Sequence, residues 1–196
     1  MGQDKAWIEL DGEPLIRRVA NVLAQVADEV IIVEADPRWA AAFALERDRM
    51  VVALGERVVA IEHIGSTAVP GLASKPIIDL LCGFRTFEEA TAAVPLFVAA
   101  GWEYPEDLNA RIQDRRFLKL TKEGVRTHHA HLILHDGPLW VEYVIFRDRL
   151  RESPALRDEY EELKRSLAEK FRDQRDSYTA SKGSFVAAVV RGDVAR

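Results

Sequence analysis

The stretch Glu62-His63-Ile64-Gly65-Ser66-Thr67-Ala68-Val69-Pro70-Gly71-Leu72-Ala73-Ser74-Lys75-Pro76-Ile77-Ile78-Asp79 decides how this chain is read. It runs as a strand, a Gly-Ser turn, a loop rich in Gly, Ser, Thr and Pro, and a second strand that carries one acid. Gly65 lets a backbone come close to a ligand. Ser66 and Thr67 offer hydroxyls, and adjacent backbone amides can form an anion nest. Lys75 adds a phosphate-seeking charge. Period-two alternation places Asp79 on one strand face with Ile77 and Leu81. An acid among aliphatic side chains is costly unless it is paired, hydrogen-bonded or holding a metal. The plainer alternative is a surface turn and an Asp that caps or bridges something.

Outward from this stretch, residues 58–64 read as one strand. Residues 76–82 read as a near-continuous apolar strand, which suits a buried central position. Upstream, Asp36 is placed to cap a helix with Pro37 at its first position. Trp39, Phe43, Met50 and Leu54 line one side of that helix. Downstream, a helix over 87–100 is expected to kink or split at Pro95 and to end at Gly101. Residues 116–121 and 125–134 form a hairpin around Lys122-Glu123-Gly124, and a helix follows over 140–151. Ser153-Pro154 then opens a long helix with an apolar stripe of Leu156, Tyr160, Leu163, Leu167 and Phe171. A last helix covers about 178–190. At the N-terminus, residues 6–10 suit a strand and Asp11-Gly12 a turn. Pro14 suits the first turn of a helix whose apolar face is Leu15, Val19, Val22, Leu23 and Val26. Residues 29–33 read as a short β-branched strand that belongs to the sheet. Residues 1–28 are thus an appendage and 29–196 the main domain. The expected fold class is α/β, a mixed sheet with the Gly-Ser loop at its edge and helices packed around it.

With 196 residues, 48% hydrophobic and 30% charged, the chain can bury a sizeable core and is not disordered. A net charge of −5 argues against a broad nucleic-acid footprint, which needs a basic face, but leaves room for a local phosphate pocket. No apolar run approaches the ~20 residues that span a bilayer. The start, Met1-Gly2-Gln3-Asp4-Lys5, lacks the charged-then-apolar pattern of a signal peptide, so a cytoplasmic protein is expected. The single cysteine, Cys82, sits in an apolar run and reads as core.

The run from His63 to Asp79 resembles the signature of the GrpB family. So do Asp36-Pro37-Arg38-Trp39, the His-Ala-His at His129 to His131, Phe146-Arg147-Asp148, and the segment 178–185 with Lys182. The likeness covers roughly residues 30–190, with several separated motifs in order. That family is placed in the nucleotidyltransferase superfamily, whose motif is a Gly-Ser pair, a loop, and a strand bearing Asp-x-Asp or Asp-x-Glu. The resemblance implies a nucleotidyltransferase-like mixed sheet flanked by helices, with a two-helix C-terminal tail. Gly65-Ser66 and Asp79 match the motif. The second acid does not, because that position is Leu81. Two acids normally clamp two magnesium ions for in-line phosphoryl transfer. The implied site has Ser66 and Asp79 as catalytic residues, Asp79 holding Mg2+, and Gly65, Thr67, Lys75, Arg116, His129, His131 and Lys182 binding a nucleotide or other phosphorylated ligand. The alternative is a catalytically inactive binding or folding-accessory domain that keeps the shape. Members of the family can be fused to dephospho-CoA kinase. This chain has no Gly-x-x-x-x-Gly-Lys-Ser/Thr loop, so that activity is not expected here.

His129 and His131 share a strand face with Thr127. Two imidazoles at i and i+2 co-ligate a metal, contact phosphate when protonated, or simply pair with polar neighbours. His128 and His135 read as surface residues. His63 either lines the pocket or braces the loop. Glu142 is a distant substitute for the missing acid. Alternation groups Arg116 with Leu118 and Leu120, pointing inward. Tyr178 and Lys182 are one helical turn apart and can reach the pocket together. Residues 1–33 carry a second resemblance, to the start of a molybdenum cofactor guanylyltransferase. It rests on Met1 to Lys5, Leu10-Asp11-Gly12-Glu13-Pro14-Leu15 and Asp28-Glu29-Val30-Ile31-Ile32-Val33. The phosphate loop and metal-binding Asp of that family are absent, so Lys5 is left without the loop it would serve.

Overall fold

Strand alternation splits the central sheet into two unlike faces, and the whole architecture follows from covering both. The computed structural model describes residues 9–10, 13–14 and 30–193. A two-residue ladder pairs β1 (Glu9–Leu10) with β2 (Glu13–Pro14) across Asp11-Gly12. Pro14 is therefore extended rather than in a helical first turn. The expected helix face from Leu15 to Val26 lies outside the described residues, as does Lys5.

The main sheet holds β3 (Ala60–Ile64), β4 (Ile78–Phe84), β5 (Arg116–Lys122) and β6 (Val125–Leu134). Their order is β3-β4-β6-β5, with β4 and β6 parallel and the other pairs antiparallel. The continuous apolar run of β4 makes it a central strand, as its sequence suggests. On one face Ile78, Leu80, Cys82 and Phe84 of β4 join Leu118, Leu120, Ala130 and Leu132. Helix α1 (Arg38–Leu54) covers this face with Trp39, Met50 and Leu54. Burial pushes the Cys82 thiol far up, so it is an inert core residue. The same face takes α2 (Phe87–Ala92) and α3 (Val94–Ala99). Thr86 caps α2 by accepting from the Glu89 amide, and Pro95 enters the first turn of α3, which is why one helix becomes two. A short α4 (Glu106–Asn109) leads into β5.

The other face carries Leu81 and Ile133, with Ile64 beside them, under α5 (Pro138–Glu152) through Trp140, Tyr143 and Val144. Helix α6 (Pro154–Lys170) begins where the Ser153 hydroxyl accepts from the Leu156 amide. The expected last helix is two, α7 (Arg175–Ser181) and α8 (Gly183–Arg191), which meet at Lys182. These helices wrap the loop between β3 and β4: Val69 and Leu72 are buried against Leu150, Leu156, Tyr160 and Val189. Residues 30–33 do not join the sheet as a strand. Val33 alone bridges Ser74, and the Val30 amide donates to the Arg172 carbonyl. Among the described residues no helix is long and apolar enough to cross a membrane.

Candidate functional site

Where β3 ends against β4, Ile64 pairs with Asp79, and the chain must turn beside a carboxylate. Gly65 makes that turn at φ +72°, and a Cβ on it would collide with the Asp79 carboxylate. Both facts demand glycine. Ser66, Thr67 and Ala68 follow as a single 3₁₀ turn. On the far side of β4, parallel register places His129 opposite Asp79 and His131 opposite Leu81. His129 Nδ1 lies 2.9 Å from Asp79 Oδ1, and His131 Nε2 lies 3.9 Å from the same oxygen. Burial alone would raise the Asp79 carboxyl, but hydrogen bonds and charge from His129 and His131 outweigh it and hold it well below the usual carboxylate range. Phe117 packs on both imidazoles, 5.0 Å and 5.5 Å between ring centres, and Tyr143 sits 5.4 Å from His131. The Asp79 side chain is 24% exposed against 14% and 12% for the two rings.

A second cluster begins at Tyr160 of α6, whose phenol lies near Ser66. Burial pushes the Tyr160 phenol well up, so it stays protonated. One turn along, Lys164 is 1% exposed, with its Nζ 5.1 Å from the Tyr160 ring centre and donating to the Ala73 carbonyl. The Ala73 amide donates to Glu161 Oε2 at 3.0 Å, so α6 holds both backbone polar groups of one loop residue. Two residues on, the Lys75 ammonium lies 4.7 Å over the Tyr178 ring. Lys182 lies 4.4 Å over the same ring. Burial pushes the Tyr178 phenol up to about 12. Outside these, Arg147 and Arg151 of α5 hold the loop from the other side, donating to the His63 and Ala68 carbonyls.

The structure therefore brings Gly65, Ser66, Asp79, His129 and His131 around one turn, with Lys75 and Lys182 at the adjoining tyrosine. It does not bring Thr67 or Arg116. The Thr67 hydroxyl donates to the Ile77 carbonyl and meets His63 Nε2 at 3.1 Å, so it closes the loop on itself. Arg116 does follow Leu118 and Leu120, but their face is the one away from Asp79, and its guanidinium lies 4.3 Å over Phe87. His63 braces the loop, stacked on Phe43 with ring centres 4.6 Å apart. His128, read as a surface residue, is 5% exposed on the face opposite Asp79. His135 is partly buried against Trp140. Glu142 is exposed on a cleft of ≈ 550 Å³ that Tyr160 and Lys182 also line.

Lys164 and Tyr160 are the residues that sequence reading passed over. In the sequence Tyr160 is one member of the apolar stripe of its helix. The signal was a lysine set among Tyr160, Leu163 and Leu167, on the apolar side of an otherwise charged helix. Leu81 is fully buried with Ile64, Ile133 and Trp140. Leu81→Asp is expected to destabilise the fold by at least ~3 kcal/mol, because it empties a packed site and buries a charge. Urea unfolding reads this, and an unchanged midpoint would show that the position is open to the pocket. Among the described residues no group of three or more His, Cys, Asp or Glu is arranged to hold a metal ion.

Comparison with known proteins gives this geometry its relatives. The family model described as GrpB protein matches residues 29–191. The chain belongs to the GrpB family. The glutamate-rich protein GrpB of Alkalihalophilus pseudofirmus is 33% identical over 83% of this chain and 94% of its own length. The UPF0157 protein YqkA of Bacillus subtilis is 34% identical over 94% of this chain, which spans about half (52%) of that relative. The crystal structure of conserved protein GrpB from Enterococcus faecalis superposes with a TM-score of 0.73 at 34% identity, over 83% of this chain and 96% of that one. The mixed sheet with flanking and C-terminal helices is thus the GrpB arrangement. The comparisons do not show the guanylyltransferase likeness of residues 1–33.

Proposed function

We propose that this GrpB-family protein binds a nucleotide or other phosphorylated small molecule at the Gly65-Ser66 turn, with Asp79 and its two imidazoles as the polar floor. The observation that carries the reading is the Gly65 turn pressed against a carboxylate that both His129 and His131 address. Such a carboxylate stays ionised near neutrality and is a poor proton acceptor, since an efficient base has a pKa near the working pH. Asp79 instead orients the imidazoles and accepts a hydrogen bond from a ligand hydroxyl. Ser66, Lys75 and Lys182 take the phosphate, and a lysine does this as a point charge.

The donor set does not favour magnesium held by the chain alone. Magnesium asks for an octahedron of oxygens, whereas Asp79 is one carboxylate flanked by imidazoles. The second acid of a two-metal clamp is replaced by core-packed Leu81. The same observation favours, as a second reading, a binding or accessory domain in the cytoplasm that turns nothing over.

Thermal unfolding in the presence of ATP, GTP, pyrophosphate and inorganic phosphate tests the proposal. A ligand at 100 times its Kd adds about 2.7 kcal/mol of stability. Asp79→Asn and Ser66→Ala are expected to remove that gain while still melting cooperatively. Equal stabilisation of both variants and the native chain would place the ligand elsewhere. Phosphorus NMR of the bound nucleotide separates turnover from binding.

A further inference from the structure

The loop that starts at Gly65-Ser66 also walls a cleft of ≈ 460 Å³, through its residues Thr67 to Gly71. Asp36, Pro37 and Trp39 at the start of α1, which the phosphate site leaves unused, line the same cleft, and the last turn of α5 supplies Arg151. Its apolar surface comes from Pro37, Trp39, Val69 and Pro70. Most of its polar groups are engaged with one another. The Ala68 and Val69 amides donate to the Gly65 and Ser66 carbonyls. The Thr67 hydroxyl donates to the Ile77 carbonyl, so at its 3.1 Å contact with His63 it accepts, and the imidazole carries its proton on Nε2. Burial keeps that ring neutral. The Asp36 carboxylate accepts from the Arg38 side chain at 2.6 to 3.0 Å, so its charge is met. Arg151 differs. Its Nε donates to the Ala68 carbonyl at 2.9 Å, which fixes the guanidinium against the loop. Its Nη1 meets Asp148 only at 3.5 Å, and that carboxylate is already held by Arg147 at 2.7 and 3.2 Å. Among the described residues Arg151 Nη2 makes no hydrogen bond.

We propose that this cleft binds a small carboxylate with an apolar, ring-sized body, the carboxylate on the Arg151 guanidinium and the body against Pro37, Trp39 and Val69. The assignment is separate from the phosphate reading of Ser66 and Asp79 and stands if that reading fails. The chemistry of the wall selects the class. A planar guanidinium held at Nε still presents Nη donors that match a carboxylate. A nucleobase needs several donors and acceptors, and the loop amides and the Thr67 hydroxyl are already committed. A bare phosphate leaves the apolar wall uncovered, whereas a ligand site of this size gains its affinity by covering such a wall and its orientation from a few polar groups. Arg151 keeps its charge near neutrality. Its side chain is 39% exposed, so a ligand can reach it.

Isothermal titration of the full chain near neutral pH with phenylacetate, acetate, phenylacetamide and inorganic phosphate tests this. Phenylacetate is expected to bind at least about tenfold tighter than acetate, which lacks the body, and than phenylacetamide, which lacks the charge. Arg151→Gln should remove the preference for the acid over the amide. Because Arg151 also holds the Ala68 carbonyl, Ala40→Phe keeps the test alive if that variant fails to fold. Ala40 is an exposed α1 residue that lines the cleft, so a phenyl ring there fills the space and leaves the core alone. Ala40→Phe should weaken phenylacetate at least about tenfold and leave ATP and phosphate titrations as they are in the native chain. Phenylacetate that fails to bind, that binds no better than acetate or phenylacetamide, that is displaced by phosphate, or that binds Ala40→Phe as it binds the native chain overturns the proposal. None of these results bears on the phosphate site, which Asp79→Asn and Ser66→Ala test by themselves.

Discussion

Gly65→Ala is expected to cost about 2–4 kcal/mol and to abolish ligand binding, because it combines left-handed backbone strain with a collision. The backbone at Gly65 has φ +72°, and the added methyl would strike the Asp79 carboxylate. To relieve the contact, either Asp79 leaves His129 or the turn carrying Ser66 moves. Gly71→Ala is the control. It has φ +79°, yet its Cβ would only touch the Arg157 side chain at 3.5 Å. That variant should show the strain, about 1–2 kcal/mol, and keep ligand binding. Urea unfolding and ligand titration of the pair separate the two terms. Equal behaviour of the two variants would mean that the Gly65–Asp79 contact has no role in the site.

Mild acid is expected to destabilise the protein steeply between pH 6.5 and 4. Burial lowers His63 to about 4, a pull the Asp79 charge opposes and Arg151 and Arg147 reinforce. Burial likewise lowers His128 to about 4, with Lys122 adding to it and Glu46 opposing. In the unfolded chain both titrate near 6.5. Across that window the unfolded state binds more protons, so stability falls as pH falls. Each histidine contributes at most about 3 kcal/mol to the loss, at roughly 1.4 kcal/mol per pH unit. Asp79 acts in a separate window, since its depressed carboxyl gives stability that is present above its unfolded value and lost below it. Lys164 acts at the other end: its folded value of about 7 makes stability rise with pH from there towards 10.5. Urea midpoints from pH 4 to 6.5 should show a shallower slope in His63→Gln and in His128→Gln than in the native chain. A slope unchanged in both would mean the two rings are not held neutral.

The local periodicities explain which parts of this fold were legible in the sequence. The hairpin of β5 and β6, the central strand β4, the break at Pro95 and the cap at Ser153 all follow from short-range chemistry that needs no tertiary partner. The meeting of Asp79 with the His129 and His131 face follows from alternation once the two strands are neighbours. Which face an alternating set takes is a tertiary fact. Alternation groups Arg116 with Leu118 and Leu120, and the structure packs that group under α1, away from Asp79. The same holds for His128, which the sequence suggests is a surface residue: neighbours in a strand face opposite ways, and the face it takes is covered as well, so it is buried. Residues 30–33 have the composition of a strand, yet only Val33 finds a bridging partner, in the loop at Ser74. Lys164 escaped notice because a stripe is read by its apolar members. Its meaning depends on the loop peptide of Ala73, ninety-one positions away in the chain.

The most direct measurement is a crystal structure of the full chain grown with a non-hydrolysable nucleoside triphosphate. The phosphates are expected against Ser66, Lys75 and Lys182, with Asp79 still paired to His129. Phosphate density in another cleft, such as the one lined by Trp39, His63 and Arg151 on the other side of the loop, with nothing at Ser66, would contradict it.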